Sequence, residues 1–426
     1  AVLRARRRRR QKGVVVNYDA DAFDPDTDFL KIGKGSLGGK ARGLAFLSTL
    51  LQRHRTIHER FPDIDILVPK TLVLTTSVFD TFVEANDLKK LSKLDSPDTE
   101  IAETFHRAGF PREIEEDLRA YLSQVRHPLA VRSSGLLEDS QFRAYAGLYS
   151  TCMIANDHPK LDRRVEELIT AIKRVYASTY FQGPKTFAQR VGLRTEEEKM
   201  AVITQQLVGK RYGDCFYPAI SGVVRSQNYY PFANMRKEEG IATIALGLGK
   251  TVVGGGKALR FSPKHPQSLP QFSTVDDMLE NAQRFFYALK MGGDCTAPAF
   301  DEDCTLAKRE VVDARDERPM QLIASTYIPN EHRIKDAAHP SGYPVLTFAS
   351  VLKYGLFPLP EILVEILNMV REGMGCPVEI EFSVNLCAPK EGRSEFSLLQ
   401  IRPMTAREEL MEVEISDEEI ARAFCF

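Results

Sequence analysis

The stretch PVEIEFSVNLCAPKEGRSEFSLLQIRPMT, Pro377 to Thr405, decides the reading of this chain. Val378, Ile380, Phe382 and Val384 alternate with Glu379, Glu381 and Ser383. Successive side chains on a strand point to opposite faces, so the spacing predicts a strand with an apolar face and a face carrying two carboxylates. In a second run, Leu399 and Ile401 alternate with Leu398, Gln400 and Arg402, which puts Gln400 and Arg402 on one face. The segment between them, CAPKEGRSE, carries the Pro, Lys, Gly and Ser of a hairpin connection. Paired, the strands set two carboxylates opposite an amide and a guanidinium. Magnesium takes oxygen ligands from one or two carboxylates plus phosphate oxygens, and an arginine fork suits phosphate. An amphipathic hairpin with a solvated face and a surface ion pair meets the same pattern. The hairpin alone favours that plainer reading.

The other parts of a nucleotide site are to be sought upstream. In IGKGSLGGKARGLAFLSTL (32–50), four glycines (33, 35, 38, 39) precede Lys40 and a periodic apolar helix. A glycine-rich turn entering a helix exposes N–H groups and a positive dipole end, which suits phosphate. Ala41 stands where a Walker A sequence needs Ser or Thr, and GGK alone fits a flexible loop as well. Leu129 to Val131 read as a short strand, with Arg132-Ser133-Ser134 at its end. An arginine there suits a triphosphate; the alternative is an ion pair with Glu138 or Asp139. Residues 240–263 read as a strand entering a loop with Gly247, Gly249, Gly254 to Gly256, Lys250 and Lys257. Elsewhere the patterns predict strands over 66–76, 200–208, 219–226, 320–328 and 343–350. They predict a helix N-capped by Ser77 (VFDTFVEANDL) and helices spanning 161–182 and 360–375.

The 426 residues allow two or three domains or subdomains. A net charge of −1 gives no global field toward nucleic acid or a membrane surface. No apolar run is long and uncharged enough for a membrane span. Seven scattered cysteines without a CxxC pair suggest reduced thiols in a cytoplasmic protein and argue against a Cys/His zinc site. Arg4 and Arg6 to Arg10 read as a basic linker. The chain begins with Ala rather than Met, so a longer polypeptide, or numbering after a removed segment, is expected.

Taken in order, several pieces resemble one family. They are LGGKARGLAFL (37–47), VPKTLVLTTSVFDTFVEANDL (68–88), LAVRSSGLLEDS with YAGLYST (129–151), VYASTY (175–180), MAVITQQLV (200–208), SGVV (221–224), LGLGKTVVGG (246–255) and EIEFSV with LLQIRPMT (379–405). This resembles the N-terminal ATP-binding domain of phosphoenolpyruvate synthase and pyruvate phosphate dikinase. The resemblance implies an α/β (α+β) ATP-grasp fold, with two mixed-sheet subdomains enclosing a nucleotide cleft and a helical insertion near 155–198. The expected division is a basic extension over 1–30, subdomains over 31–239 and 240–411, and an acidic tail over 412–426. It further implies ATP and Mg2+ as cofactors. Lys40, Arg132 and Arg402 match phosphate-contacting residues, and the loop Ala144 to Thr151, with Gly147, matches the lid. Gln205 and the backbone of Leu207 and Val208 match the strand that meets adenine. Glu381 and Gln400, with Glu379 in support, match the magnesium positions.

Two departures stand out. Lys250 occupies a place where the family often has Glu. None of the eight histidines (54, 58, 106, 127, 158, 265, 332, 339) has the GGxTxH-type context of the family's phosphoryl-carrying histidine. A pyruvate-binding barrel would need about 250 further residues. The expected partners are therefore phosphohistidine and pyruvate-binding domains of a full-length protein; a homodimer is left open. The expected activity is the ATP half-site of a phosphotransferase. The alternatives are a nucleotide sensor without transfer and a dikinase domain serving a glucan or an antibiotic.

Overall fold

The computed structural model describes residues 13–404 apart from 93, 137, 141–142, 145–146, 191–197, 233, 294–303, 339–341 and 388–391. The basic block, the acidic tail and part of the expected lid lie outside the described residues. Twelve strands build the two main sheets: β1 (Val16–Asn17), β2 (Phe29–Ile32), β3 (Ile64–Leu67), β4 (Thr71–Leu74), β5 (Leu129–Gly135), β6 (Thr151–Ile154), β7 (Met200–Gln206), β8 (Ile220–Arg225), β9 (Ile241–Ala245), β10 (Leu259–Phe261), β11 (Val378–Asn385) and β12 (Ser394–Pro403). The first sheet runs β1-β2-β4-β7-β5-β6 and the second β10-β9-β8-β11-β12-β3. Both are mixed: β1, β2 and β4 are parallel, as are β12 and β3, and the other neighbours are antiparallel. A four-stranded and a three-stranded antiparallel sheet flank the second.

The expected single strand over 66–76 is two strands in different sheets. Val68-Pro69-Lys70 separates β3 from β4, and Pro69 has no N–H to continue a ladder. The following helix spans Thr76–Ala85 with Thr75 at its N-cap, two residues before the expected N-cap Ser77. Nor do the sheets divide at 239/240, because β3 and β8 both belong to the second sheet. The run MQLI, expected as strand, is the helix Arg318–Ile323, with Pro319 in its first turn and a strand beginning only at Ala324.

The sheets bury two cores, and Phe29, Val73, Ala201 and Ile203 of the first sheet also reach the core of the second. In the second, Val378, Ile380, Phe382, Val384, Phe396, Leu398 and Ile401 are all 2% exposed or less. The helix Leu359–Met374 covers them with Leu359, Ile362, Leu363, Ile366 and Val370. Each such side chain contributes about 1.5–3 kcal/mol relative to exposure, so the apolar face of β11 and β12 fixes which side looks outward. The helix Gly38–Arg53 joins this same core through Ala41, Leu44 and Leu47. The helix Leu161–Ser178, the main part of the expected insertion, packs in the first core through Val165, Leu168, Ile172 and Val175.

Candidate functional site

Pairing of β11 with β12 brings the carboxylates opposite the amide and guanidinium, as the alternation allows, and its register sets Glu379 opposite Arg402 and Glu381 opposite Gln400. The register then slips, since Phe382 pairs with Leu398 and leaves Leu399 as the extra residue of a bulge. The slip corrects the expected faces of this strand. Leu398 turns into the core, and Leu399 lines the outward side. Bulges re-aim groups beside sites, and here the Leu399 carbonyl accepts a bond from Arg132 Nη1 at 3.3 Å.

That bond crosses between the sheets. Arg132, on β5 of the first sheet, also donates through Nη2 to Glu381 Oε2 at 2.9 Å and to Gln400 Oε1 at 2.6 Å on the second. Burial acts to raise the Glu381 carboxyl, but the charge and hydrogen bond of Arg132, with Lys40 and Arg402, outweigh it and hold the group below its usual range. The sequence alternative of an ion pair from Arg132 to Glu138 or Asp139 is not what forms with Glu138, because Glu138 is taken by Lys40.

The segment Arg132-Ser133-Ser134 explains how Lys40 is placed. Ser134 Oγ donates to the Leu37 carbonyl at 2.8 Å and accepts from the Ala41 amide at 3.0 Å, docking the helix start on β5. Gly38 makes the approach feasible. Its φ is +75°, and a Cβ there would stand 1.7 Å from the Ser134 carbonyl oxygen. Lys40 Nζ then donates to Ser133 Oγ at 3.2 Å and to Glu138 Oε1 at 2.5 Å. Glu138, 2% exposed, also accepts from Ser133 Oγ and the Gly135 amide. An ammonium has three donors; two are spoken for, and Lys40 lines the cleft between the sheets.

This cleft has a volume of about 1250 Å³. It is lined by Lys40, Arg132, Gly147, Gln205, Leu207, Val208, Glu379, Glu381, Gln400 and Arg402, so the ten site residues implied by the resemblance border one space, whereas Gly33, Gly35, Gly38, Gly39 and Gly247 do not line it. At one end lies the crossover from β7 to the second sheet. Gln205 is 2% exposed, and the Leu207 amide donates to the Pro128 carbonyl at 2.9 Å. At the other end Glu379, 8% exposed, is held by Arg402 Nη2 through Oε1 and by Arg225 Nε through Oε2 at 2.6 Å. Lys250 also lines the cleft, with its Nζ 5.1 Å from the centre of the Tyr287 ring. Arg225, which lines the cleft, and Glu138, which holds Lys40, were given no role in the site by sequence reasoning. Glu138 was visible only as a partner for Arg132, and Arg225 only as a residue of the strand expected over 219–226.

Among the described residues, no three His, Cys, Asp or Glu side chains come close enough to hold a metal by themselves. A cation here would draw on the Glu381 carboxylate, the Gln400 amide oxygen and oxygens of its ligand. That donor set suits magnesium, which keeps few protein ligands and favours phosphate oxygens. Glu379 fits less well, since both its oxygens are engaged by guanidinium groups.

The family model described as pyruvate phosphate dikinase, AMP/ATP-binding domain, matches residues 34–422. The chain belongs to this family. Its α/β architecture of mixed sheets around a cleft is that of the ATP-grasp domain expected from the sequence, and the family is one of ATP binding and phosphoryl transfer. The chain is also similar to YvkC of Bacillus subtilis (strain 168), described as an uncharacterized phosphotransferase. The two are 24% identical over 191 residues, 44% of this chain and 20% of that protein. The match thus spans about a fifth of the relative's length. Among the described residues, no helix is long and apolar enough to cross a membrane.

Proposed function

We propose that this chain is the ATP-binding, phosphoryl-donating half of a phosphoenolpyruvate synthase-like dikinase. ATP lies between the two sheets, with the base at Gln205 to Val208 and the phosphates toward Lys40, Arg132 and Arg402. The Leu207 amide is committed to Pro128, so the base edge meets the Leu207 carbonyl and the Val208 amide. Glu381 and Gln400 hold magnesium, which when bound offsets charge on the phosphate oxygens. Glu379 positions arginines instead of binding the metal. Phosphoryl transfer asks a protein mainly for positioning and charge neutralisation, and this cleft supplies both. Acceptance falls to a histidine on another domain: its nitrogen takes the pyrophosphoryl group as AMP leaves, the γ-phosphoryl group then goes to water or inorganic phosphate, and the remaining β-phosphoryl group passes on to pyruvate.

The observation that carries this reading is the reach of Arg132 from the first sheet onto Glu381 and Gln400 of the second. It ties cation, carboxylate and amide together at the centre of the cleft of an ATP-binding family. Calorimetry of MgATP binding to the wild type, Glu381→Ala and Arg132→Ala tests it. Each substitution is expected to weaken binding at least about tenfold, the scale of one charge-assisted hydrogen bond. Undiminished binding in both variants would sink the assignment.

A nucleotide sensor without transfer is the second reading, favoured by the cationic Lys250 on the cleft wall. Labelled ATP with a supplied phosphohistidine domain separates the two, since transfer of label to histidine excludes the sensor.

A further inference from the structure

Arg225 carries an assignment that neither the family match nor the sequence motifs give it. It is the last residue of β8 and pairs directly across the sheet with Glu379, which pairs in turn with Arg402 on the far side. One carboxylate is thus flanked by two guanidinium groups, with Oε2 taking Arg225 Nε and Oε1 taking Arg402 Nη2. Glu379 is 8% exposed on its side chain, whereas Arg225 is 51% and Arg402 34% exposed. The charges do not cancel: two cations share one buried anion and present their open edges to the cleft. Among the described residues, the two terminal nitrogens of Arg225 donate to nothing, so a planar pair of donors remains available.

The place of this pair matters as much as its charge. Glu379 and Glu381 are two residues apart on one strand, a step of about 7 Å. The Arg225–Arg402 pair therefore lies beyond the Glu381–Gln400 pair, at the end of the cleft away from Gln205 to Val208. A step of that length matches a polyphosphate chain and exceeds a single phosphate. Arginine forks on fixed strands recognise phosphate oxygens two at a time. Strand pairing fixes both backbones, and Glu379 restrains both side chains before any ligand arrives, which lowers the ordering cost of binding.

We infer that Arg225 and Arg402, yoked by Glu379, form an anion subsite that takes the terminal phosphate of the nucleotide and makes the cleft discriminate ATP from shorter nucleotides. The inference rests on the proposed nucleotide site and adds to it a specificity-determining residue. Calorimetric affinities for MgATP, MgADP and AMP on the 426-residue chain test it, with Arg225→Leu, Arg225→Lys and Arg132→Gln compared with the wild type. Arg225→Leu is expected to weaken MgATP about tenfold while leaving AMP within about twofold. Arg225→Lys, which keeps the charge and loses the fork, is expected to fall between. Equal weakening of MgATP and AMP by Arg225→Leu would show a structural role and overturn the inference. So would unchanged MgATP affinity in Arg225→Leu alongside a loss in Arg132→Gln, and the nucleotide site would then stand without this subsite. Unchanged MgATP affinity in both variants would overturn the site and the subsite together.

Discussion

Replacement of Glu138 by Gln isolates the seat of Lys40. The carboxylate accepts three bonds, from Lys40 Nζ at 2.5 Å, Ser133 Oγ at 2.8 Å and the Gly135 amide at 3.0 Å. Its side chain is 1% exposed and that of Lys40 12%, so solvent screens the pair weakly. An amide keeps the shape but offers one acceptor oxygen, and its NH2 faces a donor. A hydrogen bond to a charged group is worth about 1.5–3 kcal/mol, and a buried donor left unpaired costs about 1–3 kcal/mol. Glu138→Gln is therefore expected to destabilise the chain by roughly 3 kcal/mol. Lys40→Met is expected to cost about 2 kcal/mol, because Glu138 keeps its Ser133 and Gly135 donors. The double variant should be less destabilised than the sum of the two by about 2 kcal/mol, since neither charge is then stranded. Urea denaturation of the four proteins at a common slope measures this coupling. Additivity within about 0.5 kcal/mol would refute the reasoning and make the Lys40–Glu138 contact incidental.

Two further outcomes follow from the same neighbourhood. Gly38→Ala meets both a positive φ and the Ser134 carbonyl, so it is expected to destabilise by more than about 3 kcal/mol; a melting temperature within a few degrees of the wild type would contradict the docking described for this helix. The Glu381 carboxyl, held low by Arg132 against the effect of burial, contributes stability present above its unfolded value, about 4.3, and lost as pH falls through its lower folded value. The stability gap between the wild type and Glu381→Gln should narrow as pH drops from 7 toward 3. Circular dichroism of urea unfolding can follow it in this tryptophan-free chain, and a gap independent of pH would count against the pairing.

Parts of this architecture were legible in the sequence because they rest on local periodicity. The alternation of Val378 to Val384 fixed a buried face, and the polar partners of Glu379 and Glu381 followed from antiparallel pairing. The inserted Leu399 was not legible, since a bulge leaves a run of apolar and polar residues that reads equally well in either phase. The division of 64–74 between two sheets was hidden for a similar reason. Ile64–Leu67 and Thr71–Leu74 are both apolar strand formers, and only their distant partners, β12 and β2, tell them apart. Arg318–Ile323 shows tertiary packing overriding a strand-like composition, with Met320 and Ile323 turned into the second core. Ion-pair choice was the least legible feature. Glu138 lies six residues from Arg132 in sequence, yet it pairs with Lys40, 98 residues away. Arg132 finds Glu381 across 249 residues.

The pairing of β3 with β12 sets an order on biosynthesis. The last strand of the first sheet ends at Gln206, whereas Ile64 acquires its neighbour only when Ser394 emerges, 394 − 64 = 330 residues later. At the usual ribosomal pace of about 5–20 residues per second, that wait is roughly 15–65 seconds. From the completion of the first sheet at Gln206 onward, Ile64–Leu67 waits beside it as a strand without a mate, the kind of segment that invites wrong pairing or a chaperone. Lys40 and Arg132 can be in position early, but the surface that gives them a nucleotide to share is complete only once β12 has been made.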